Sequence, residues 1–149
     1  MSDLVNQLMK EIYKCYEITK QKHESCCTTR SQLLYIALKH SGFKPRMLRY
    51  LNSEEQENRI KIKLISGEEF ESHVVILLNN KILDSNLSER IPKKDYERKI
   101  KEINAGMIII SKDYWTNPNI AELKEICYKC DLSHLFIEAL KNPQNSKPN

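Results

Sequence analysis

The sequence has little glycine and no long apolar run. Three of its 149 residues are glycine, which essentially excludes the glycine-rich loops that cradle phosphate groups. No apolar stretch approaches the roughly 20 residues that a membrane-spanning helix needs. Residues 1–4 lack a basic segment followed by an apolar one, so no secretory signal peptide is predicted. We therefore expect a cytoplasmic protein without a membrane partner, with export by a route that uses other signals left open.

The composition is that of one ordinary globular domain. Apolar residues make up 40% and charged residues 30% of the chain, and its length suffices for one hydrophobic core. The five cysteines are an odd number, which favours free thiols in a reducing compartment. The net charge is +4 and the basic residues are interleaved with glutamates, so we expect no specific nucleic-acid partner. We predict one domain over residues 1–140 and a disordered polar tail over residues 141–149.

Hydrophobic periodicity predicts an α+β fold. Apolar residues recur at helical spacing over residues 3–23 and 27–41, and Gly42 follows the second of these helices, where a glycine commonly ends one. Alternating or continuous apolar runs predict strands further along the chain. The predicted strands cover residues 46–51, 59–65, 71–78, 81–84 and 107–110, and further helices are expected over residues 92–103, 120–130 and 132–140. In the first of these helices, Tyr96, Ile100 and Ile103 are expected to form the inner face.

The first candidate for chemistry is a cysteine at the start of the second predicted helix. Cys26 and Cys27 lie where the polar segment 24–30 turns into an apolar helix. A helix N-terminus offers free N–H groups and a partial positive charge. Both features favour the thiolate over the thiol, and the thiolate is the nucleophile.

A predicted hairpin brings a histidine and an aspartate together. If residues 79–80, Asn-Asn, form a two-residue turn, Val75 pairs with Asp84. His73 lies on the same face as Val75, because side chains alternate along a strand. His73 and Asp84 are then diagonal neighbours, roughly 7–8 Å apart at the backbone.

This pairing is what a cysteine nucleophile requires. A carboxylate on the far ring nitrogen holds the general-base histidine in one tautomer. It also stabilises the imidazolium that forms when the histidine takes the thiol proton. The alternative interpretation is that His73 is an ordinary histidine on a sheet and Asp84 a turn residue, with no shared chemistry.

Further features over residues 20–90 are similar to those of a known family. Gly42 falls fifteen positions after Cys27, and Arg46 follows it at the start of a strand. The segment 73–77, His-Val-Val-Ile-Leu, is followed by Ile-Leu-Asp-Ser-Asn at 82–86. In these residues the chain resembles the transglutaminase-like group of the papain-like cysteine hydrolases, and bacterial transglutaminase-like cysteine proteinases in particular.

The resemblance implies a fold and a set of roles. The fold would be a cysteine-bearing helix packed on an antiparallel sheet of about four or five strands, with further helices after it. Cys27, not Cys26, would be the nucleophile, His73 the base and then the acid, and Asp84 the residue that orients His73. Gln21, six positions before Cys27, would be a candidate oxyanion donor. The reaction would be hydrolysis or acyl transfer at an amide of a peptide or protein substrate, and neither a metal nor an organic cofactor is implied.

Two alternatives differ in class. A catalytically inactive domain of the same fold would use the cleft only to bind a peptide or protein. A zinc-stabilised module would use Cys127, Cys130 and His134, but the second ligand pair would have to come from adjacent cysteines, which do not chelate as spaced ones do. Core packing is therefore the preferred role of Cys127 and Cys130, and also of Cys15. Tyr114 and Trp115, in a predicted loop, are expected either in the core or, preferably, on a wall of the cleft.

Overall fold

A computed structural model describes residues 2–22, 27–53 and 60–148, apart from the side chains of residues 2, 21 and 22. These residues form an α+β fold, as predicted. The helices are α1 (Ser2–Lys22), α2 (Cys27–His40), α3 (Lys93–Ile103), α4 (Ile120–Lys129) and α5 (His134–Leu140), followed by a 3-10 helix over Pro143–Ser146. The strands are β1 (Arg46–Asn52), β2 (Ile62–Lys63), β3 (Glu69–Phe70), β4 (Ser72–Leu78), β5 (Lys81–Leu83), β6 (Ile91–Pro92) and β7 (Ile109–Asp113).

The main sheet is antiparallel and is built around β4. Five strands lie in the order β6-β5-β4-β1-β7, and β2 and β3 form a separate two-stranded sheet. The predicted β4–β5 hairpin is confirmed, with Leu78 paired to Lys81 and Ile76 to Leu83. Asn79 and Asn80 have φ values of 50° and 63°, the left-handed conformation that a two-residue hairpin turn demands at both central positions. This turn fixes the register on which the candidate site depends.

Helix α2 lies in the interior and holds the site against the sheet. Every residue from Thr29 to Leu38 is buried, which is typical of a helix covered on all sides. It packs against β4, α1 and α5. The hydroxyl of Ser31 donates a hydrogen bond of 3.0 Å to the carbonyl oxygen of Val74 on β4. The first turn of α2 is therefore fixed over the start of β4.

The two faces of the sheet have separate cores. Val74 and Ile76 of β4 pack with α1, α2, α4 and α5, whereas Val75 packs in a second cluster with Tyr96 and Ile100 of α3. The sheet therefore separates a helical layer from α3. Within the described residues, no helix is long and apolar enough to cross a bilayer.

Several boundaries differ from the sequence predictions. The last strand covers Ile109–Asp113 and not 107–110, because its register with β1 pairs Asn52 with Ile109 and Leu48 with Asp113. Ile103, expected on the inner face of its helix, is 38% exposed at the helix end. Of the strand predicted over 59–65, Ile62–Lys63 form β2 within the described residues, and residue 59 lies outside them.

Residues 142–148 are folded onto the domain, although a disordered tail is predicted over 141–149. Asn142 caps the 3-10 helix by accepting from the N–H of Gln144 at 3.0 Å. The buried Asn145 side chain donates to the carbonyl oxygen of Ala139 at 2.9 Å. The Tyr35 hydroxyl donates to the carbonyl oxygen of Lys147 at 2.9 Å. These hydrogen bonds order a segment that has too few apolar residues for hydrophobic burial to do so.

Candidate active site

Three elements bring Cys27, His73 and Asp84 together. Cys27 is the first residue of α2, His73 lies near the start of β4, and Asp84 directly follows β5. The predicted contact across the hairpin is confirmed, since His73 Nε2 lies 2.8 Å from Asp84 Oδ1. Both side chains are buried, at 0% and 1% exposure. A buried imidazole and carboxylate therefore share one hydrogen bond, shielded from water.

The surroundings of His73 favour its protonated form. Burial lowers the pKa of the imidazole, but the charge and hydrogen bond of Asp84, followed by the interaction with Cys27, outweigh it and raise the pKa to about 10. Burial likewise raises the pKa of Asp84, and the charge and hydrogen bond of His73 reverse this and lower it below the ordinary value. The pair is thus held as imidazolium and carboxylate.

The Cys27 thiol is driven towards the thiolate. Burial raises its pKa, but the interaction with the His73 imidazole, the N–H of Val74 and the charge of Arg30 together lower it. The Val74 N–H donates to Cys27 Sγ at 3.5 Å. A thiol whose proton resides on a neighbouring imidazole is the nucleophilic form of cysteine.

The ring nitrogen that serves Cys27 follows from the contacts of His73. Nε2 is hydrogen-bonded to Asp84. Nδ1 is buried and makes no hydrogen bond of ordinary geometry to any described residue. Because Nε2 is occupied, Nδ1 is the nitrogen left to exchange a proton with the thiol. Asp84 holds the ring by its far side, as the sequence predicted.

Asp84 is anchored at both of its oxygens. Oδ1 accepts from His73 and also from the backbone N–H of Asn86 at 2.9 Å. Oδ2 accepts from the hydroxyl of Tyr96 at 2.7 Å. From the sequence, Tyr96 is predicted only on the apolar inner face of its helix. A signal was available, because a tyrosine that is buried on such a face needs a partner for its hydroxyl.

A buried arginine supports the turn that follows Asp84. Arg30 is 3% exposed and donates from Nη2 to Asn86 Oδ1 at 2.6 Å and from Nε to Ser85 Oγ at 3.2 Å. Its guanidinium lies over the ring of Tyr16, 5.0 Å from the centroid. The sequence does not predict this role. The available signal was an arginine in the first turns of a helix whose following residues, 33–38, are apolar, since buried charges require partners.

A cavity of about 480 Å³ opens at Cys27. Tyr16 and Lys20 of α1 form one wall, and Glu69 and Phe70 of β3 form another. Phe70 is 46% exposed, and the other lining residues include charged ones of both signs, Lys20, Arg30 and Lys61 beside Glu68, Glu69 and Glu71. A substrate carbonyl could therefore approach the thiol from a cavity with both apolar and charged walls.

Two predicted cleft residues lie elsewhere, and one prediction concerns a side chain outside the described residues. Tyr114 and Trp115 line a second cavity of about 390 Å³ and not the cavity at Cys27. Trp115 is drawn there by the ring of Tyr35 on α2, with 5.2 Å between centroids. The backbone of Gln21 belongs to α1, but its side chain lies outside the described residues, so its role as an oxyanion donor stays a prediction. Cys26 also lies outside them.

The remaining described cysteines pack in the core, as predicted. Cys15, Cys127 and Cys130 are each at most 2% exposed, and the sulfur atoms of Cys15 and Cys130 lie 2.7 Å apart. Burial raises the pKa of Cys127 to about 11. His134 contacts Glu138 at 2.8 Å instead of these thiols. Among the described residues, no group of three or more potential ligands could hold a metal ion.

Comparisons of the chain with protein-family models, with curated proteins and with solved structures found no match.

Proposed function

We propose that this protein is a cysteine-dependent hydrolase or acyl transferase acting on an amide bond of a peptide or protein, in the manner of the transglutaminase-like papain-like enzymes. Cys27 is the nucleophile, His73 the general acid and base, and Asp84 the residue that orients His73. The supporting observation is the buried His73–Asp84 pair beside a half-buried thiol whose pKa is lowered at the mouth of a cavity. The order of the elements, with a cysteine helix packed against an antiparallel sheet, also agrees with this proposal.

The reaction begins with the Cys27 thiolate and the His73 imidazolium. The thiolate attacks the carbonyl carbon, and the carbonyl oxygen takes up the electron pair. Collapse of this intermediate breaks the C–N bond, and the proton on His73 Nδ1 passes to the departing amine. A thioester to Cys27 and a neutral His73 remain.

The second half of the reaction regenerates the thiol. His73 removes a proton from water or from an acceptor amine, which attacks the thioester carbon. The C–S bond breaks, Cys27 leaves as the thiolate, and the proton stays on His73. The product is a carboxylic acid with water, or a new amide with an amine.

The oxyanion formed in both halves lies near the start of α2. The first N–H groups of an α-helix have no partner within the helix, and its N-terminus carries a partial positive charge. Cys27 is the first residue of α2. Its backbone N–H is therefore the proposed oxyanion donor, a contribution typically of about 3–4 kcal/mol to transition-state stabilisation.

The proposal is tested with an activated ester, p-nitrophenyl acetate, because it acylates nucleophilic thiols without substrate recognition. We expect a burst of one equivalent of nitrophenol, a thioester on Cys27 by mass spectrometry, and continued turnover. Cys27→Ser should lose both phases, and Cys26→Ser, the matched control, should keep them. Casein incubated with a fluorescent primary amine then distinguishes transfer from cleavage.

Two results would contradict the proposed enzymatic activity. Equal turnover by Cys27→Ser and the unmodified protein would remove Cys27 from the mechanism. A stable thioester on Cys27 without turnover would instead favour the catalytically inactive peptide-binding domain, because deacylation requires His73 to act as a base.

A further inference from the structure

Tyr96 is a fully buried side chain that points from α3 into the hairpin. It is 0% exposed, and its hydroxyl donates to Asp84 Oδ2 at 2.7 Å. Its ring packs against that of Tyr50 on β1, with 5.4 Å between centroids. Since β1 pairs Tyr50 with His73, these two tyrosines line the side of the sheet from which Asp84 reaches the histidine.

The two oxygens of Asp84 have separate anchors. Oδ1 is held by His73 Nε2 and by the N–H of Asn86, and Oδ2 by Tyr96. The torsion that turns a carboxylate about its terminal bond is broad. Contacts at one oxygen alone therefore leave the plane of the carboxylate poorly fixed, and the hydroxyl on the other oxygen fixes it.

We propose that Tyr96 is a positioning residue for the thiol chemistry, because its hydrogen bond fixes the carboxylate of Asp84 in the orientation that holds His73 towards Cys27. This inference rests on the proposed function. The hydrogen bond also favours the charged form of Asp84, and the other ionisable groups that face it or its partners are His73, Tyr50 and Arg30.

Tyr50 supplies a matched control. It is buried next to Tyr96, and its hydroxyl also donates to a carboxylate, that of Glu97 at 2.8 Å. Glu97 accepts the hydrogen bond of Tyr50, whereas Asp84, which accepts that of Tyr96, belongs to the triad. Tyr50→Phe and Tyr96→Phe therefore remove the same group from similar surroundings, and only one of them bears on His73.

The experiment measures the rate at which iodoacetamide alkylates Cys27 as a function of pH, in the full chain with Cys26→Ser. The rate rises with pH as the thiolate forms, and we call this rising part of the profile the acid limb. We expect Tyr96→Phe to move the acid limb to a pH about one unit higher, equivalent to about a tenfold slower reaction on that limb. The looser carboxylate stabilises the imidazolium less, so the thiolate forms less readily. Tyr50→Phe should leave the limb where it is.

The outcomes separate this inference from the proposed function. If the parent chain itself shows the acid limb of an ordinary thiol, the proposed function fails. If the parent limb is low and Tyr96→Phe leaves it unchanged, or Tyr50→Phe moves it equally, Tyr96 has no positioning role.

A second variant keeps the inference testable should Tyr96→Phe fail to fold. Tyr96→3-fluorotyrosine keeps the ring and strengthens the hydroxyl as a hydrogen-bond donor. It should shift the acid limb of the Cys27 alkylation profile, whereas the same replacement at Tyr50 should not. An unshifted limb with 3-fluorotyrosine at position 96 would overturn the inference.

Discussion

Two regions of the molecule hold cysteine thiols away from bulk water: the start of α2, and the contact between α1 and the end of α4. In the first, the thiol of Cys27 lies beside His73 and accepts the Val74 N–H. In the second, Cys15 and Cys130 face each other in the apolar core. Burial raises the pKa of both Cys27 and Cys15, but only for Cys27 do nearby charges and hydrogen bonds reverse its effect.

The comparison shows that burial alone does not make a thiol reactive. The pKa of Cys15 is raised mainly by burial and then by its contact with Cys130, and that of Cys127 is raised mainly by burial. Thiols of this kind are inert packing groups. Cys27 differs because a cationic imidazole, held in turn by a carboxylate, stabilises its charge. Removing those partners should make Cys27 behave like the core cysteines.

The largest expected effect is that of His73→Gln. Without the imidazolium, the pKa of Cys27 should rise, so its alkylation rate near pH 6 should fall by about a hundredfold. The rate for Cys127 should not change. Peptide-level mass spectrometry after timed alkylation measures both rates in one sample. Equal alkylation rates for Cys27 before and after the substitution would show that His73 is not what distinguishes Cys27 from the core cysteines.

Arg30→Met should have the next largest effect, seen mainly in stability. It removes the guanidinium that donates to Asn86 Oδ1 at 2.6 Å and to Ser85 Oγ at 3.2 Å, which we expect to cost about 2–4 kcal/mol of unfolding free energy. The Cys27 thiolate also loses a nearby positive charge, so its alkylation should slow several-fold.

Arg46→Met is the control for Arg30→Met. Arg46 pairs with Asp113 on the surface, where the two side chains are 58% and 72% exposed. Its removal should change stability by less than about 0.5 kcal/mol. Urea denaturation compares the two variants. Similar losses would show that the buried network around the turn has no special role.

The smallest expected effect concerns the pH dependence of stability. The pKa of His73 is raised in the native protein, so its contribution to the free energy of unfolding falls as pH rises from its unfolded pKa near 6.5. The pKa of Cys27 is lowered, so its contribution to the free energy of unfolding rises with pH up to its unfolded pKa near 8.5. In the native pair the thiol proton resides on the imidazole. The two contributions therefore cancel, and stability should be flat between about pH 6.5 and 8.

Cys27→Ser should make visible the pH dependence of stability that His73 causes. It keeps the raised pKa of His73 that Asp84 causes but removes the compensating thiol. Its unfolding free energy should then fall by about 1–2 kcal/mol between about pH 6.5 and 8. Urea denaturation under reducing conditions measures this. A flat profile in Cys27→Ser would mean that His73 is neutral in the native protein.

The parts of the site that the sequence predicted are those set by local rules. The Asn79–Asn80 turn fixes the hairpin register, and that register alone brings His73 to Asp84. The contact of Arg30 with Asn86 spans 56 residues, and no local pattern specifies such a pairing. Tyr96 was placed correctly on an inner helix face, but its hydroxyl partner depends on how α3 packs against the hairpin.

The errors have a related cause. Tyr114 and Trp115 follow an edge strand. Trp115 packs against Tyr35 on a distant helix, and Tyr114 lies against the guanidinium of Arg49 on β1. The C-terminal segment is ordered by hydrogen bonds from Asn142 and Asn145. None of these interactions leaves a trace in hydrophobic periodicity, which predicts which face is buried but not what covers it.

The activation of Cys27 by His73 and Asp84 is tested most directly by the pH profile of Cys27 alkylation in the Cys26→Ser chain. An ion-paired thiolate predicts an acid limb with its midpoint clearly below about 8.5, the value of an ordinary thiol, and His73→Gln should move that midpoint to or above this value. A midpoint at or above about 8.5 in the parent chain, unchanged in His73→Gln, would contradict the claim that His73 and Asp84 activate Cys27.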